Sequence, residues 1–321
     1  MNQANKNYKE GSAYLKTSCL KCRFNPDYIS AIPYLKLAAD EYHGCKDYEK
    51  EIETREKLVK CFKGENSSWE EGNEYEKMSK VQLNQLKSPS DAYNSIENSF
   101  HAYINDNKYN YGIKALKKSS DNFIENENKK EAEKVLSFAF DAICKYYHVI
   151  TLDKEESHSY VYECIDKYID LLFGENNYKK AAEVSKKTIK LIEKDNENEK
   201  RMIGKYYAFE AISELLDKNE DKYKNTIEKG MKVEDNQNGI SNKVNKLINT
   251  LKENNKDNEK NITSLYHDIS SKVPHCVSKA LYKYIKDNKI SDNNNNDNNG
   301  NNNDKDKDKS TEFEKSLNDY L

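Results

Sequence analysis

The sequence predicts an all-α fold, a right-handed solenoid of antiparallel helix hairpins, and three observations support it. Segments between candidate turns carry a single apolar stripe at helical spacing, as in Val161, Ile165, Ile169 and Leu172. Only 10 Gly and 4 Pro are present, too few for a turn-rich β fold. The turns recur about every 20 residues, which pairs the helices into tetratricopeptide-like (TPR-like) repeats of about 40 residues. They fall at residues 25–27, 44–47, 64–68, 87–90, 106–108, 125–130, 151–157, 174–177, 195–199 and 218–221.

The composition favours a thin helical stack over a thick globule. Hydrophobic residues make up 36% of the 321 residues and charged residues 34%, so the chain has much solvated surface and little core material. The 24 Tyr suit narrow helix pairs, because a tyrosine can fill a helix interface while its hydroxyl stays wet.

The charge balance and the lack of long apolar runs restrict the class of protein. The 53 basic and 56 acidic side chains leave a net charge of −3, so no whole-protein field would recruit nucleic acid. The sequence has no signal-peptide core and no apolar run near the roughly 20 residues of a membrane span. We therefore expect a cytoplasmic protein that is peripheral to membranes at most.

The loop at residues 18–26 is apolar where a surface loop should be polar. It contains Cys19, Leu20, Cys22 and Phe24. Cations interleave with these residues at Lys16, Lys21 and Arg23. Apolar side chains can insert into a bilayer while anionic head groups attract the cations. The pattern predicts a membrane-touching loop.

The residues around this loop form a specific pattern. It reads Tyr14-Leu15-Lys16-Thr17-Ser18, then Leu20-Lys21, then Pro26-Asp27-Tyr28 with Ser30-Ala31. This pattern resembles the first helical hairpin of the soluble NSF attachment protein (SNAP) family, closest to its gamma form. The likeness continues more thinly through the helical repeats to about residue 235. The loop departs from the gamma form in having Cys19 and Cys22 in place of large aromatic residues.

The resemblance implies an adaptor without enzyme activity and without a cofactor. In the family, the N-terminal loop attaches the protein peripherally to the cytosolic face of membranes. The solenoid is implied to grip four-helix SNARE bundles of the syntaxin type, and the C-terminus to recruit and stimulate the hexameric ATPase NSF. The implied function is SNARE disassembly in vesicle-mediated protein transport, such as ER–Golgi transport.

Two other functions stay open from the residues alone. The chain could be a generic TPR-like scaffold in another cytosolic assembly, or a peripheral lipid-binding regulator. A scaffold explains the solenoid and leaves the apolar loop unexplained. A lipid-binding regulator explains the loop and leaves the C-terminal segment, described below, without a role.

Basic side chains form three clusters on predicted helix faces. They are Lys114, Lys117 and Lys118, then Lys129, Lys130 and Lys134, then Lys186, Lys187 and Lys190. Spacings of three and four residues place two or three of them on one face, which is typical of a solvated surface. The resemblance implies that basic solenoid residues contact the acidic SNARE bundle. It makes Lys117, Lys118, Lys186 and Lys187 the candidates.

The chain is predicted to divide into a solenoid at 1–252, a C-terminal helical bundle at 253–287, a disordered linker at 288–309 and a terminal segment at 310–321. The bundle should cover the last apolar face of the solenoid, and the Asn/Asp/Lys-rich linker has no periodic apolar face. In the acidic-apolar terminal segment, Phe313, Leu317 and Leu321 form one helical stripe. The resemblance implies that Asp319 and Leu321 contact NSF.

No catalytic or metal site is predicted. The sequence lacks G-x-x-x-x-G-K-[ST], and its six His show no ligand spacing. Cys19-x-x-Cys22 could be half a zinc site, a redox pair or two loop residues, and no second CxxC or nearby His pair completes a zinc site. Most of the seven cysteines are expected to be buried small apolar residues.

Pro33 restricts where the second helix can begin. A helix that begins at Asp27 would hold Pro33 in its interior, at a cost of about 3 kcal/mol. A helix that begins at Ser30 would place Pro33 in the first turn, where its missing N–H is harmless. We therefore expect a late start or a kink.

Overall fold

The computed structural model describes residues 2–17, 24–150, 156–195, 200–234, 238–253 and 258–296. Every regular element in these ranges is helical, which confirms the predicted all-α class. The helices are α1 (Asn2–Tyr14), α2 (Tyr28–Gly44), α3 (Tyr48–Gly64), α4 (Ser68–Asn84), α5 (Pro89–Asn105), α6 (Tyr109–Glu125), α7 (Lys129–Ile150), α8 (Glu156–Gly174), α9 (Tyr178–Asp195), α10 (Lys200–Leu216), α11 (Glu220–Glu234), α12 (Ile240–Lys252), α13 (Glu259–Ser270) and α14 (His275–Asn296).

Two compact units divide the chain within α8, at residues 1–164 and 165–321. In the first unit, each helix from α1 to α7 packs on the next one along the chain. In the second unit, α9, α10 and α11 pack in the same consecutive way. This packing of neighbours across short turns is the arrangement of stacked helix hairpins, and it agrees with the predicted solenoid.

The repeat length predicted from the turns is confirmed in the first unit. Helices α2 to α6 are each 17 residues long. They begin at Tyr28, Tyr48, Ser68, Pro89 and Tyr109, which is one helix and one turn about every 20 residues.

Six turns in the described ranges share one helix-ending motif that needs no glycine. In the first of them, the Asp47 N–H donates to the Tyr42 carbonyl at 3.0 Å and the Lys46 N–H to the His43 carbonyl at 3.0 Å. Lys46 itself adopts the left-handed backbone conformation, with a φ of 61°. These bonds satisfy the last carbonyls of the helix. The same left-handed position recurs, within the described ranges, at Asn66, Lys87, Asn107, Glu127, Asn176 and Lys218.

Buried tyrosines fill the helix interfaces, as the composition suggested, and the hydroxyls of two of them bind side chains. Tyr42 is 1% exposed, and its hydroxyl donates to Asn5 Oδ1 at 2.8 Å. Tyr206 is fully buried, and its hydroxyl donates to Asp166 Oδ1 at 3.1 Å. Each bond removes the cost of burying a polar group in a narrow apolar interface.

The late start expected for the second helix is wrong. Helix α2 begins at Tyr28, with Asp27 as its N-cap, whose side chain accepts from the Ser30 N–H at 3.0 Å. Pro33 therefore lies inside the helix. The carbonyl that Pro33 leaves without a helical donor belongs to Ile29, which is 70% exposed, so water can reach that end of the helix.

The C-terminal helices pack together and on a helix of the solenoid. Helices α12, α13 and α14 contact one another, and α12 and α14 also pack on α10, within the same compact unit. Helix α14 continues to Asn296, past the predicted boundary at 287. Residues 297–309 of the predicted linker and the whole terminal segment lie outside the described residues.

Candidate functional site

The predicted membrane-touching loop is described only at its C-terminal end. Cys19, Leu20 and Cys22 lie outside the described residues. Phe24 lies four residues before the first residue of α2 and is 74% exposed. A phenylalanine ring with this exposed fraction is available for insertion into an apolar phase.

The outer face of α2 continues this apolar surface. Ile29 and Leu37 are 70% and 54% exposed, and Pro33, also exposed, stands midway between them at four-residue spacing. We call Phe24, Ile29, Pro33 and Leu37 the N-terminal apolar edge. Three of its members are among the five large hydrophobic side chains that are exposed in the described part of the chain. Such clustering marks an interaction surface more often than scattered exposure does.

The charges beside this edge are mixed. From Tyr28 to Ala39 the single charge is Lys36, and Asp27 and Asp40 flank this span. The Lys36 ammonium lies 5.3 Å from the centre of the Phe62 ring on α3. An apolar stripe with Lys36 beside it and the loop cations Lys21 and Arg23 before it in the sequence fits the interface of an anionic membrane.

The α2 part of this edge could not be predicted from the sequence, because the helix carries two apolar stripes. One stripe, which includes Leu35, Ala39 and Tyr42, is buried against its neighbours. Packing of α2 on α1 and α3 buries that stripe and leaves Ile29 and Leu37 outside. The exposed stripe is visible in the sequence as Ile29, Pro33 and Leu37 at i, i+4 and i+8. The spacing alone does not tell which of the two stripes a solenoid helix buries.

Of the first pair of candidate lysines, Lys118 is the more accessible. Lys117 is 28% exposed and forms an ion pair with Glu163. Its ammonium, by this hydrogen bond, lowers the pKa of the Glu163 carboxyl. Lys118 is exposed on α6 and takes no part in that pair. An acidic partner would have to compete with Glu163 for Lys117 but not for Lys118.

The second pair of candidates lies on α9, where both lysines are exposed. Lys186 faces a carboxyl pair on α10, Glu210 and Glu214; burial raises the pKa of both carboxyls, and the Lys186 ammonium opposes that rise. Burial, followed by the neighbouring Glu214, raises the pKa of Glu210 to about 7 in spite of Lys186, Lys229 and Lys190. The charge of Lys186 is therefore partly compensated within its own unit.

The Glu210 carboxyl should make stability depend on pH. Its folded pKa is raised above the ordinary 4.5, so its stabilising contribution is complete below pH 4.5 and is lost as the pH rises through about 7. We expect the free energy of unfolding to fall by about 2 kcal/mol more between pH 5 and pH 8 in the natural protein than in Glu210→Gln. Urea unfolding at four pH values measures this, with the exposed Glu183→Gln as control. Parallel pH profiles for the natural protein and Glu210→Gln would contradict the assignment.

The described cysteines give no sign of redox or metal chemistry. Cys61 and Cys164 are buried, as expected, and burial raises the pKa of their thiols to about 11 and about 12. Cys45 is exposed and Cys144 and Cys276 are half-buried, so only two of the five described cysteines are fully buried as expected. Within the described ranges, no three His, Cys, Asp or Glu side chains gather where they could hold a metal ion. Cys19 and Cys22 fall outside these ranges.

Two further observations concern the membrane and the C-terminus. None of the helices in the described ranges has the length and apolar content needed to cross a bilayer. Asp319 and Leu321, the candidate NSF contacts, lie outside the described residues.

Comparisons with known proteins add little to this geometry. No protein-family model matches the sequence. No curated protein matches it either. Among solved structures, the chain is similar to BtubC (BKLC) from P. vanneervenii, with a TM-score of 0.35 and 8% identity, over 74% of this chain and 92% of that one. A likeness this distant carries no argument about function.

Proposed function

We propose that this chain is a membrane-attached adaptor that binds SNARE bundles and recruits and stimulates the ATPase NSF. The observation that carries the proposal is the N-terminal apolar edge, which lies in the hairpin whose sequence resembles the SNAP family. The edge extends the apolar character of the predicted loop by more than two helical turns, to Leu37. The all-α hairpin stack is compatible with the same proposal.

The proposed mechanism is mechanical coupling. The apolar edge and the preceding loop hold the adaptor on the membrane where SNARE bundles are anchored. Exposed lysines, with Lys118 and Lys187 the most accessible candidates, meet the acidic surface of the bundle. The terminal segment then engages NSF, so that the force of ATP hydrolysis in NSF reaches the bundle.

The two alternatives explain fewer of the features. A scaffold for another assembly could use the exposed apolar edge as a protein contact, but it leaves the cations of the neighbouring loop unexplained. A lipid-binding regulator needs no acidic-apolar terminal segment, yet Phe313, Leu317 and Leu321 form one helical stripe with a capping-box pattern at Thr311 and Glu314. The adaptor proposal uses both ends of the chain.

Leu321→Ala should preserve SNARE-bundle binding and reduce the stimulation of NSF ATPase activity. A helix of 12 residues is marginal alone in water, so the segment should become ordered on its partner, where removing one of three apolar contacts costs affinity. Phosphate release by NSF in the presence of SNARE bundles measures the effect. Asn318→Ala, off the stripe of the same segment, is the matched control. Unaltered stimulation by Leu321→Ala would refute the role of the terminal segment.

A further inference from the structure

Three cations from separate elements converge in the second unit, away from any residue used above. Arg201 lies in the first turn of α10, and Lys243 lies on α12. Lys272 follows the C-terminal end of α13. The side-chain nitrogens of Lys243 and Lys272 lie within hydrogen-bonding reach of each other, and the charge of Arg201 acts on Lys272. We call Arg201, Lys243 and Lys272 the basic cluster.

One carboxylate faces the basic cluster. The side chain of Lys243 is 13% exposed, and its ammonium donates to Asp268 Oδ2 on α13 at 2.7 Å. This hydrogen bond raises the pKa of Lys243 and lowers the pKa of Asp268. Among the described groups that act most strongly on the two lysines, Asp268 is the only carboxylate. Three positive groups and one negative group leave a surplus of two positive charges within the described ranges.

The two lysine side chains stay together in spite of their repulsion. Long lysine side chains at a surface normally spread into solvent, where water and salt separate like charges. Here the ion pair with Asp268 holds Lys243 in place. The Lys272 N–H donates to the Ile269 carbonyl at 2.9 Å, which fixes the backbone that carries the second lysine.

The contact between the lysines perturbs the titration of the second one. The hydrogen bond from the Lys243 ammonium, followed by burial and by the charge of Lys243, lowers the pKa of Lys272. Arg201 adds to this effect through its charge. Cations that are held together with too few carboxylates to balance them are typical of a site for an anion.

The surplus of charge discriminates between classes of anion. A phosphomonoester carries a charge of about −1.5 to −2 at pH 7 and three strong acceptor oxygens. One oxygen can accept from both lysines, and a second can accept from the guanidinium of Arg201. A carboxylate or a phosphodiester carries one negative charge and would leave part of the surplus unbalanced. Three cations gathered at one point also cannot follow the backbone of a nucleic acid.

We propose that the basic cluster binds the phosphate dianion of a phosphomonoester, carried by a soluble phosphate ester or by the head group of a lipid. The phosphate lies between Lys243 and Lys272 and accepts from both, so that two charge-assisted hydrogen bonds replace the repulsion of the two ammonium groups. Asp268 orients Lys243 for this contact. The site is additional to the membrane, SNARE and NSF contacts proposed above and does not depend on them.

Isothermal titration calorimetry of the full chain with methyl phosphate tests the site. Dimethyl phosphate, which has one negative charge fewer, is the matched control ligand, and we expect it to bind at least about tenfold more weakly. Lys272→Gln should weaken the binding of methyl phosphate about tenfold, because one charge-assisted hydrogen bond is lost. Lys224→Gln, which removes an exposed lysine of α11, is the matched control variant and should not change it. Arg201→Gln is measured separately, because Glu197 and Glu199, which lie outside the described residues, precede Arg201 in the sequence.

Lysine acetylation followed by mass spectrometry gives a second readout at the site itself. The lowered pKa of Lys272 should make its amine react faster than that of Lys224. A bound phosphate dianion favours the ammonium form, so methyl phosphate should slow the acetylation of Lys272 several-fold and leave that of Lys224 unchanged. Equal slowing at both lysines would contradict binding at the cluster.

Vesicle flotation distinguishes the two sources of the phosphate. Vesicles with phosphatidic acid, a phosphomonoester, are compared with vesicles of equal surface charge that contain phosphatidylglycerol, a phosphodiester. If Lys272→Gln weakens attachment to the first vesicles only, the ligand is a lipid head group. If it changes neither attachment while calorimetry shows binding of methyl phosphate, the ligand is a soluble ester.

Four results would overturn the proposal. They are the absence of binding, equal binding of the two phosphates, equal weakening by Lys272→Gln and Lys224→Gln, and much tighter binding of a phosphoserine peptide than of methyl phosphate. The last of these would assign the cluster to a phosphorylated protein. Circular dichroism melting of each variant shows that it is folded.

Discussion

Replacing Arg55 by Met should lower the free energy of unfolding by about 3–5 kcal/mol. Glu51 is fully buried and Glu74 is 2% exposed, and Arg55 donates to both. Met keeps much of the length of the side chain but no charge, so two carboxylates would remain in the interior with one balancing guanidinium removed. His43 and Lys77 could compensate only in part, from the more exposed side of each carboxylate.

Chemical denaturation of the Arg55→Met protein measures this cost. Lys60→Met, an exposed lysine of the same helix, should change the free energy of unfolding by less than about 0.5 kcal/mol. A deficit below about 1 kcal/mol would mean that the network is not energetically coupled.

Replacing Phe24, Ile29 and Leu37 together by Ser should reduce liposome attachment by one to a few powers of ten. Full burial of each side chain contributes about 1.5–3 kcal/mol, and partial insertion of three of them accounts for a reduction of this size. The three side chains are 54–74% exposed, so the helical fold should survive their replacement. The pair Leu20→Ala and Phe24→Ala is expected to act in the same direction.

Co-sedimentation with anionic liposomes measures the attachment. Trp69→Ser with Tyr111→Ser removes two other exposed aromatic side chains of the same unit, and it should leave attachment unchanged. If the triple variant attaches normally and melts at a lower temperature, the edge folds back on the protein. If the Leu20 and Phe24 pair alone reduces attachment, the membrane contact stops at the loop and does not include α2.

The positions of the turns could be predicted from the sequence because they follow from local chemistry. Each described helix end between α2 and α7 needs polar residues to meet its last carbonyls, and Asn, Asp and Lys cluster there. The start of α5 also follows from the local sequence, since Ser88 precedes the helix and Pro89 stands at its first position.

Features that depend on tertiary packing could not be predicted. Glu51 and Arg55 at four-residue spacing are typical of a solvated helix pair, and only the hairpin brings Glu74 to Arg55 and buries all three. The start of α2 also depends on tertiary packing. The Asp27 cap and the packing of α2 outweigh the cost of an interior Pro33, so local proline rules gave the wrong boundary. Which apolar stripe of α2 stays exposed was decided by α1 and α3.

The central claim, that the chain links SNARE bundles to NSF, is tested most directly by a pull-down with the immobilised full-length protein. Purified four-helix SNARE bundles and NSF, held in its ATP state by a non-hydrolysable analogue, are added separately and together. The proposal predicts that SNARE bundles bind alone, in a manner that salt weakens, and that NSF is retained strongly only when bundles are present. Retention of neither component at low salt would contradict the proposal and leave a scaffold for another assembly or a lipid-binding regulator as the function of this chain.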